Sequence, residues 1–154
     1  ILAILFQGII SLSNAQYLAE WASAGIGLGN NYGKEIYLDP TGNLYVVGNL
    51  FTGTVDFGNG VTVENIGIND YLIKYNQEGM AQWANLIPSD IKVKFGTEGE
   101  CYVTGTYTGL EEAIGDVIPE DVDGNTEDRY IIKYSADGET EWVKLLAGSM
   151  ATDS

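Results

Sequence analysis

The chain of 154 residues contains no histidine, one cysteine, three prolines and only seven lysines and arginines. Without histidine, no Cys-His or Ser-His catalytic pair can form within it. The lone Cys101 cannot close an internal disulfide, so stability must come from packing. Seven cations stand against 22 carboxylates, a formal charge of −15 that repels phosphate backbones and anionic lipid headgroups. Nucleic-acid and membrane-surface roles are therefore not expected. No apolar run is long enough to span a bilayer, and Gln7 interrupts the longest one, at the N-terminus. Hydrophobic residues make up 45% of the chain, an ordinary share that argues against disorder.

That first run, "ILAILFQGIISLSNAQ", is apolar and ends on the small residues Ser13 and Ala15. It reads as the hydrophobic region and cleavage site of a secretory signal over residues 1–15, with a mature start at Gln16. No charged region precedes it, so the text is expected to begin inside the signal. A core helix is the alternative. Export is the expectation, to the medium or the cell surface.

Beyond the signal, short apolar runs are broken by Gly, Asn and Asp, and one sentence is written twice. "NDYLIKYNQEGMAQW" returns as "EDRYIIKYSADGETEW", so that Lys74 and Lys133, Gly79 and Gly138, Trp83 and Trp142 each stand 59 residues apart. Upstream, Gly42–Gly48 returns as Gly99–Gly105 at an offset of 57. Alternation in "YLIKY" and turn-forming "PTGN", "NQEG" and "SADG" predict strands joined by hairpins. Four strands are predicted per unit. They are A (Ile36–Leu38 and Ile91–Phe95), B (Leu44–Leu50 and Cys101–Tyr107), C (Tyr71–Tyr75 and Tyr130–Tyr134) and D (Met80–Leu86 and Thr140–Leu146). Strands apolar on both faces suit propeller blades, each sheltered between two neighbours.

"DPTGNLYVVG" followed by "NDYLIKYNQEGMAQW" resembles the secreted bacterial β-propeller (SBBP-type) repeat, across about residues 17–147. The resemblance implies an all-β fold of four-stranded antiparallel blades in an incomplete ring, and a scaffold without catalytic residues in its motif. On this reading residues 16–34 form a clasp strand and linker, 35–86 one blade, 87–147 a second, and 148–154 begin the next connection. "YLAEW" around Trp21 reads as a strand D completing the last blade, and further blades of the same polypeptide are expected. A closed two-unit β-sandwich is the competing architecture. In unit two, "GTEGE" lacks the Asp and Asn of the first turn, which puts that turn's geometry in question.

Recurrence assigns most conspicuous residues to structure. Six of ten tyrosines and Trp21, Trp83 and Trp142 read as blade packing rather than sugar-binding rows. Lys74 and Lys133 read as packed stems whose ammonium meets a carboxylate or water. Cys101 stands where Leu44 does and reads as a small core hydrophobe. "AGIGLGNNYG" lacks the spacing of a nucleotide fingerprint and reads as a flexible connector.

The non-recurring region lies between strands B and C of unit two, where eight carboxylates from Glu111 to Asp128 meet no cation. Asp121, Asp123 and Asn125 alternate as an irregular calcium loop does, although Gly124 is misplaced for an EF-hand; a solvated acidic hairpin is the other reading. No other cofactor is expected. The favoured function is a non-catalytic scaffold binding a protein or glycan through its rim loops. The alternative is a carbohydrate-active enzyme, a glycoside hydrolase or lyase with carboxylates at the propeller mouth, although adjacent Glu111 and Glu112 would point to opposite faces of a strand.

Overall fold

A computed structural model describes residues 25–27, 31–65, 69–88, 90–107 and 128–146. These are all-β, with eleven strands in three antiparallel sheets and no helix among them. In chain order the strands are β1 (Ile26–Gly27), β2 (Asn31–Leu38), β3 (Leu44–Leu50), β4 (Gly53–Asp56), β5 (Thr62–Asn65), β6 (Asn69–Tyr75), β7 (Ala81–Ile87), β8 (Lys92–Phe95), β9 (Cys101–Tyr107), β10 (Asp128–Tyr134) and β11 (Thr140–Leu146). Sheet one runs β2-β3-β6-β7 and sheet two β8-β9-β10-β11, so both units fold as four-stranded meanders in sequence order. A small third sheet, β1-β4-β5, completes the set. No helix among the described residues is long and apolar enough to cross a membrane.

The two meanders share one register. Tyr45 faces Lys74, which faces Trp83, while Tyr102 faces Lys133, which faces Trp142. A bulge follows the lysine in each unit, between Lys74 and Tyr75 and between Lys133 and Tyr134. The recurring glycines have a cause. Tyr71 lies opposite Gly48 and Tyr130 opposite Gly105, and a Cβ on either glycine would overlap the tyrosine ring. Gly42, Gly79, Gly99 and Gly138 each close a hairpin with positive φ, between +77° and +88°. The turn left in question in unit two keeps its form: Gly99 N–H donates to the Gly96 carbonyl as Gly42 N–H donates to Asp39. Glycine in the left-handed position carries that geometry without the Asp and Asn.

Sheet one is the middle layer, which explains why β3 and β6 are buried along nearly their whole length. One face sends Tyr45, Val47, Leu72, Trp83 and Ile87 against Val93, Cys101, Val103, Tyr130, Ile132 and Tyr134 of sheet two. The other sends Leu50, Tyr71, Ile73, Tyr75 and Ala81 against Val55, Phe57 and Val63 of the β4–β5 hairpin. Fully burying each large apolar side chain contributes about 1.5–3 kcal/mol, so these two cores dominate stability.

Two expectations are amended. Strand A of unit one begins at Asn31, inside the segment read as linker, because a bulge at Lys34 carries the ladder past Gly33. "AGIGLGNNYG" is no plain connector, since Ile26 and Gly27 pair with Asp56 and Val55 of β4. The β4 strand, "GTVD", escapes a periodicity reading because four residues with one buried apolar side chain carry no period. Residues 1–24, including Trp21 and the expected signal and clasp, lie outside the described residues, as do 147–154.

Candidate functional site

The repeated lysine and tryptophan have a partner that their own unit does not supply. Lys74 Nζ and Trp83 Nε1 both donate to the carbonyl of Ala136, at 3.0 and 3.1 Å, and Asn85 Nδ2 donates to the carbonyl of Gly138 at 2.8 Å. Both acceptors belong to the turn between β10 and β11 in the next unit. That turn is tight: Gly138 N–H returns to the Ser135 carbonyl, and Gly138 has φ +84°. The turn's own backbone bonds use the Ser135 and Glu139 carbonyls, which leaves those of Ala136 and Gly138 to other donors. Trp83 lies so close over Gly138 that any Cβ there would enter the indole ring. Lys74 thus holds a neighbouring backbone, a partner that the sequence reading did not include. Lys133 does meet a carboxylate, Glu141, at 2.8 Å.

Around the grip, Trp83 meets Tyr45 edge-on at 5.7 Å between centroids and Tyr134 at 5.8 Å. Lys74 Nζ also lies 5.7 Å from the Tyr45 ring centre. The hydroxyls of Tyr45 and Tyr134 are buried without a hydrogen-bond partner among the described residues. Burial pushes both phenols up, and pushes the Cys101 thiol up to about 12 against the opposing pull of Lys74. Cys101 is therefore a core group, as its sequence position suggested.

The same register places a second, equivalent face on the outside of sheet two. Tyr102, Lys133 and Trp142 occupy the positions of Tyr45, Lys74 and Trp83, with Ile131 for Leu72 and Lys144 for Asn85. None of the five is fully buried, and no described element packs over them. Composition differs as well. Thr104 replaces Val47 and Arg129 replaces Asp70, so this face is more polar than its counterpart. It carries Lys92, Lys94, Arg129, Lys133 and Lys144, five of the seven cations in the chain. Net charge alone hides this segregation. Lys144 Nζ lies 5.7 Å from the Trp142 ring centre, and Lys92 reaches around the sheet edge to Glu35 at 3.1 Å.

The counterpart of Arg129, Asp70, is 1% exposed and accepts from Lys34 Nζ at 2.6 Å and Asn49 Nδ2 at 3.1 Å. Nearby on the same sheet, Asn49 Oδ1 and Asn31 Nδ2 are buried without partners among the described residues. Lys34 reaches Asp70 through the β2 bulge, a position that alternation alone does not foretell.

The residues proposed from sequence for calcium, Asp121, Asp123 and Asn125, lie outside the described residues, with the rest of the acidic segment up to Glu127. Of the recurring tyrosines, Tyr45, Tyr71, Tyr75, Tyr130 and Tyr134 are core groups and Tyr102 alone is half-buried, so they form no open sugar-binding row. The turn carbonyls and Asn85 were not singled out from sequence. Their signal was the joint recurrence of Lys, Gly and Trp at fixed spacing, which marks residues that act together. The chain matches no family model and no curated protein.

Proposed function

We propose that this chain is part of a secreted or cell-surface scaffold of repeated four-stranded blades, arranged as a β-propeller like the SBBP-type repeat its motifs resemble. Its rim loops bind a protein or glycan, without catalysis. The observation that supports this reading most is the grip of Lys74 and Trp83 on the Ala136 carbonyl. Where the two units meet, the lysine and tryptophan of the first hold the glycine turn of the second, a division of labour suited to a series of units. The units differ most between strands B and C. Unit one builds the β4–β5 hairpin there, while unit two writes an acidic segment. Constant frame and variable loops are what a binding scaffold requires.

The test uses the complete natural product of the reading frame, purified from the culture medium. Small-angle scattering from a flat disc, with binding on a glycan or protein array and no turnover of labelled oligosaccharides, supports the reading. Release of shortened sugars would transfer the protein to the carbohydrate-active enzymes. Scattering from a compact two-sheet particle of this length would favour the closed sandwich.

A further inference from the structure

At one end of sheet one, three polar side chains meet on a face whose other members are apolar. Asp70 is 1% and Asn49 5% exposed, on the face that carries Val47, Leu72 and Ile87. Lys34 enters from the bulge of β2. A buried ion pair is a poor stabiliser, and the repeat does not require this one. Unit two has Ile91, Thr106 and Arg129 at the same positions. The three residues therefore serve something other than the shared frame.

We propose that the side chains of Lys34 and Asn49 join in an amide bond, with Asp70 carrying the protons. The strand order is β2-β3-β6, so Lys34 and Asp70 lie two strands, about 10 Å, apart and the lysine stem crosses the middle strand where Asn49 stands. Asp70 Oδ1 accepts from Lys34 Nζ at 2.6 Å and from Asn49 Nδ2 at 3.1 Å, so the nucleophile and the leaving nitrogen share one base. Asn49 Oδ1 has no partner among the described residues. Rotation of the carboxamide toward the amine is thus opposed only by the bonds of Nδ2, to Asp70 and to the Asn69 carbonyl.

The step needs no co-reactant, and nothing is oxidised or reduced. Asp70 takes a proton from the Lys34 ammonium, giving a neutral pair that scarce water favours over separated charges. The freed Nζ lone pair attacks Asn49 Cγ and forms the new C–N bond. The tetrahedral centre collapses by breaking the Cγ–Nδ2 bond, while Asp70 returns its proton to the departing nitrogen. A second proton of Nζ follows, so ammonium leaves and Asp70 is again a carboxylate. The bond staples the edge strand β2 to β3 in a chain whose lone Cys101 closes no disulfide. It depends neither on the number of units nor on any ligand of the loops.

The test is the intact mass of the full chain, purified and then held folded at physiological temperature, with circular dichroism and tryptophan emission reporting the fold. Expected is a loss of one ammonia, with trypsin no longer cutting after Lys34 and fragmentation of the digest joining Lys34 to Asn49. Lys34→Arg, which keeps a cation beside Asp70, should fold and show no loss. Asp70→Asn should also keep its full mass, and Lys34→Arg carries the comparison if that variant does not fold. The proposal is overturned if the folded parent keeps its full mass and is cut after Lys34. It is equally overturned if one water is lost and Lys34 is joined to Asp70. Ammonia loss that persists in Lys34→Arg also overturns it, and assigns the loss to a succinimide at an asparagine such as Asn59, which precedes Gly60.

Discussion

Sheets one and two fold alike and live in different surroundings. Val93 is 2% exposed and its counterpart Ile36 is 69% exposed, though both occupy the same place on strand A. Trp83 is buried against a neighbour's turn, whereas Trp142 is half-buried over its own Tyr102 at 6.2 Å. Backbone geometry is thus set within a unit, by glycine turns, strand alternation and the tyrosine over each strand-B glycine. Burial is set between units. A residue's recurrence says what it is for, and its position in the series says whether that purpose is met.

The largest effect should come from the residue on which the inter-unit contact closes. Gly138→Val combines positive φ with overlap against the Trp83 ring. It should cost about 3–5 kcal/mol, from left-handed strain and overpacking together. Gly99 has the same backbone, with φ +87°, but open space around its Cβ position. Gly99→Ala should cost about 1–2 kcal/mol. Urea midpoints of the two variants measure the gap. Equal losses would mean that the turn does not carry the contact between sheets.

Next come the two tryptophans. Trp83→Ala removes a buried ring with two aromatic neighbours and a hydrogen bond, and should cost about 3–5 kcal/mol. Trp142→Ala should cost about 1 kcal/mol. Similar costs would erase the asymmetry between the faces. Cys101 offers a sharper reading because it lies in the core between the sheets and its thiol is pushed up to about 12. At pH 8 a thiol reagent should react only after the sheets separate or the chain unfolds. Trp83→Ala should speed that labelling roughly 100-fold or more, since each 1.4 kcal/mol is tenfold in the open population. Trp142→Ala should leave it near the parent rate.

Much of this was legible beforehand, and the division is physical. All eight meander strands follow from local text, because alternation and left-handed glycine turns are encoded within a few residues of where they act. β4 was not legible, because its stability comes from pairing with Ile26–Gly27 and β5 and from Val55 packing under sheet one. The partner of Lys74 was not legible either. Its acceptor is a backbone carbonyl 62 residues away, and a carbonyl has no letter in the sequence. Segregation of the cations was hidden for a similar reason. Lys92 and Lys133 become neighbours of one face only once the register of three strands is known.

The smallest expected effect tests whether the first turn differs from its counterpart in more than spelling. Asp39 is buried, which opposes its charge, yet hydrogen bonds from the side chain and backbone of Asn43 and of Thr41 outweigh that and hold its carboxyl below the ordinary 3.8. Its Oδ1 accepts from Thr41 N–H and Asn43 N–H at 2.9 Å, and its Oδ2 from Asn43 Nδ2 at 2.7 Å. A depressed folded value means that the stabilisation is complete above the unfolded value and is lost as pH falls through it toward the folded one. Asp39→Asn should therefore be less stable at pH 7, by roughly 1 kcal/mol, and should lose less on acidification below about pH 4. In unit two the matching position is Gly96, which has no carboxylate, and the turn closes on the Gly99 N–H bond to the Gly96 carbonyl. Urea midpoints at pH 7 and pH 3 decide it. If Asp39→Asn loses as much on acidification as the parent, the carboxylate network of the first turn has no stability of its own, and glycine geometry alone accounts for both turns.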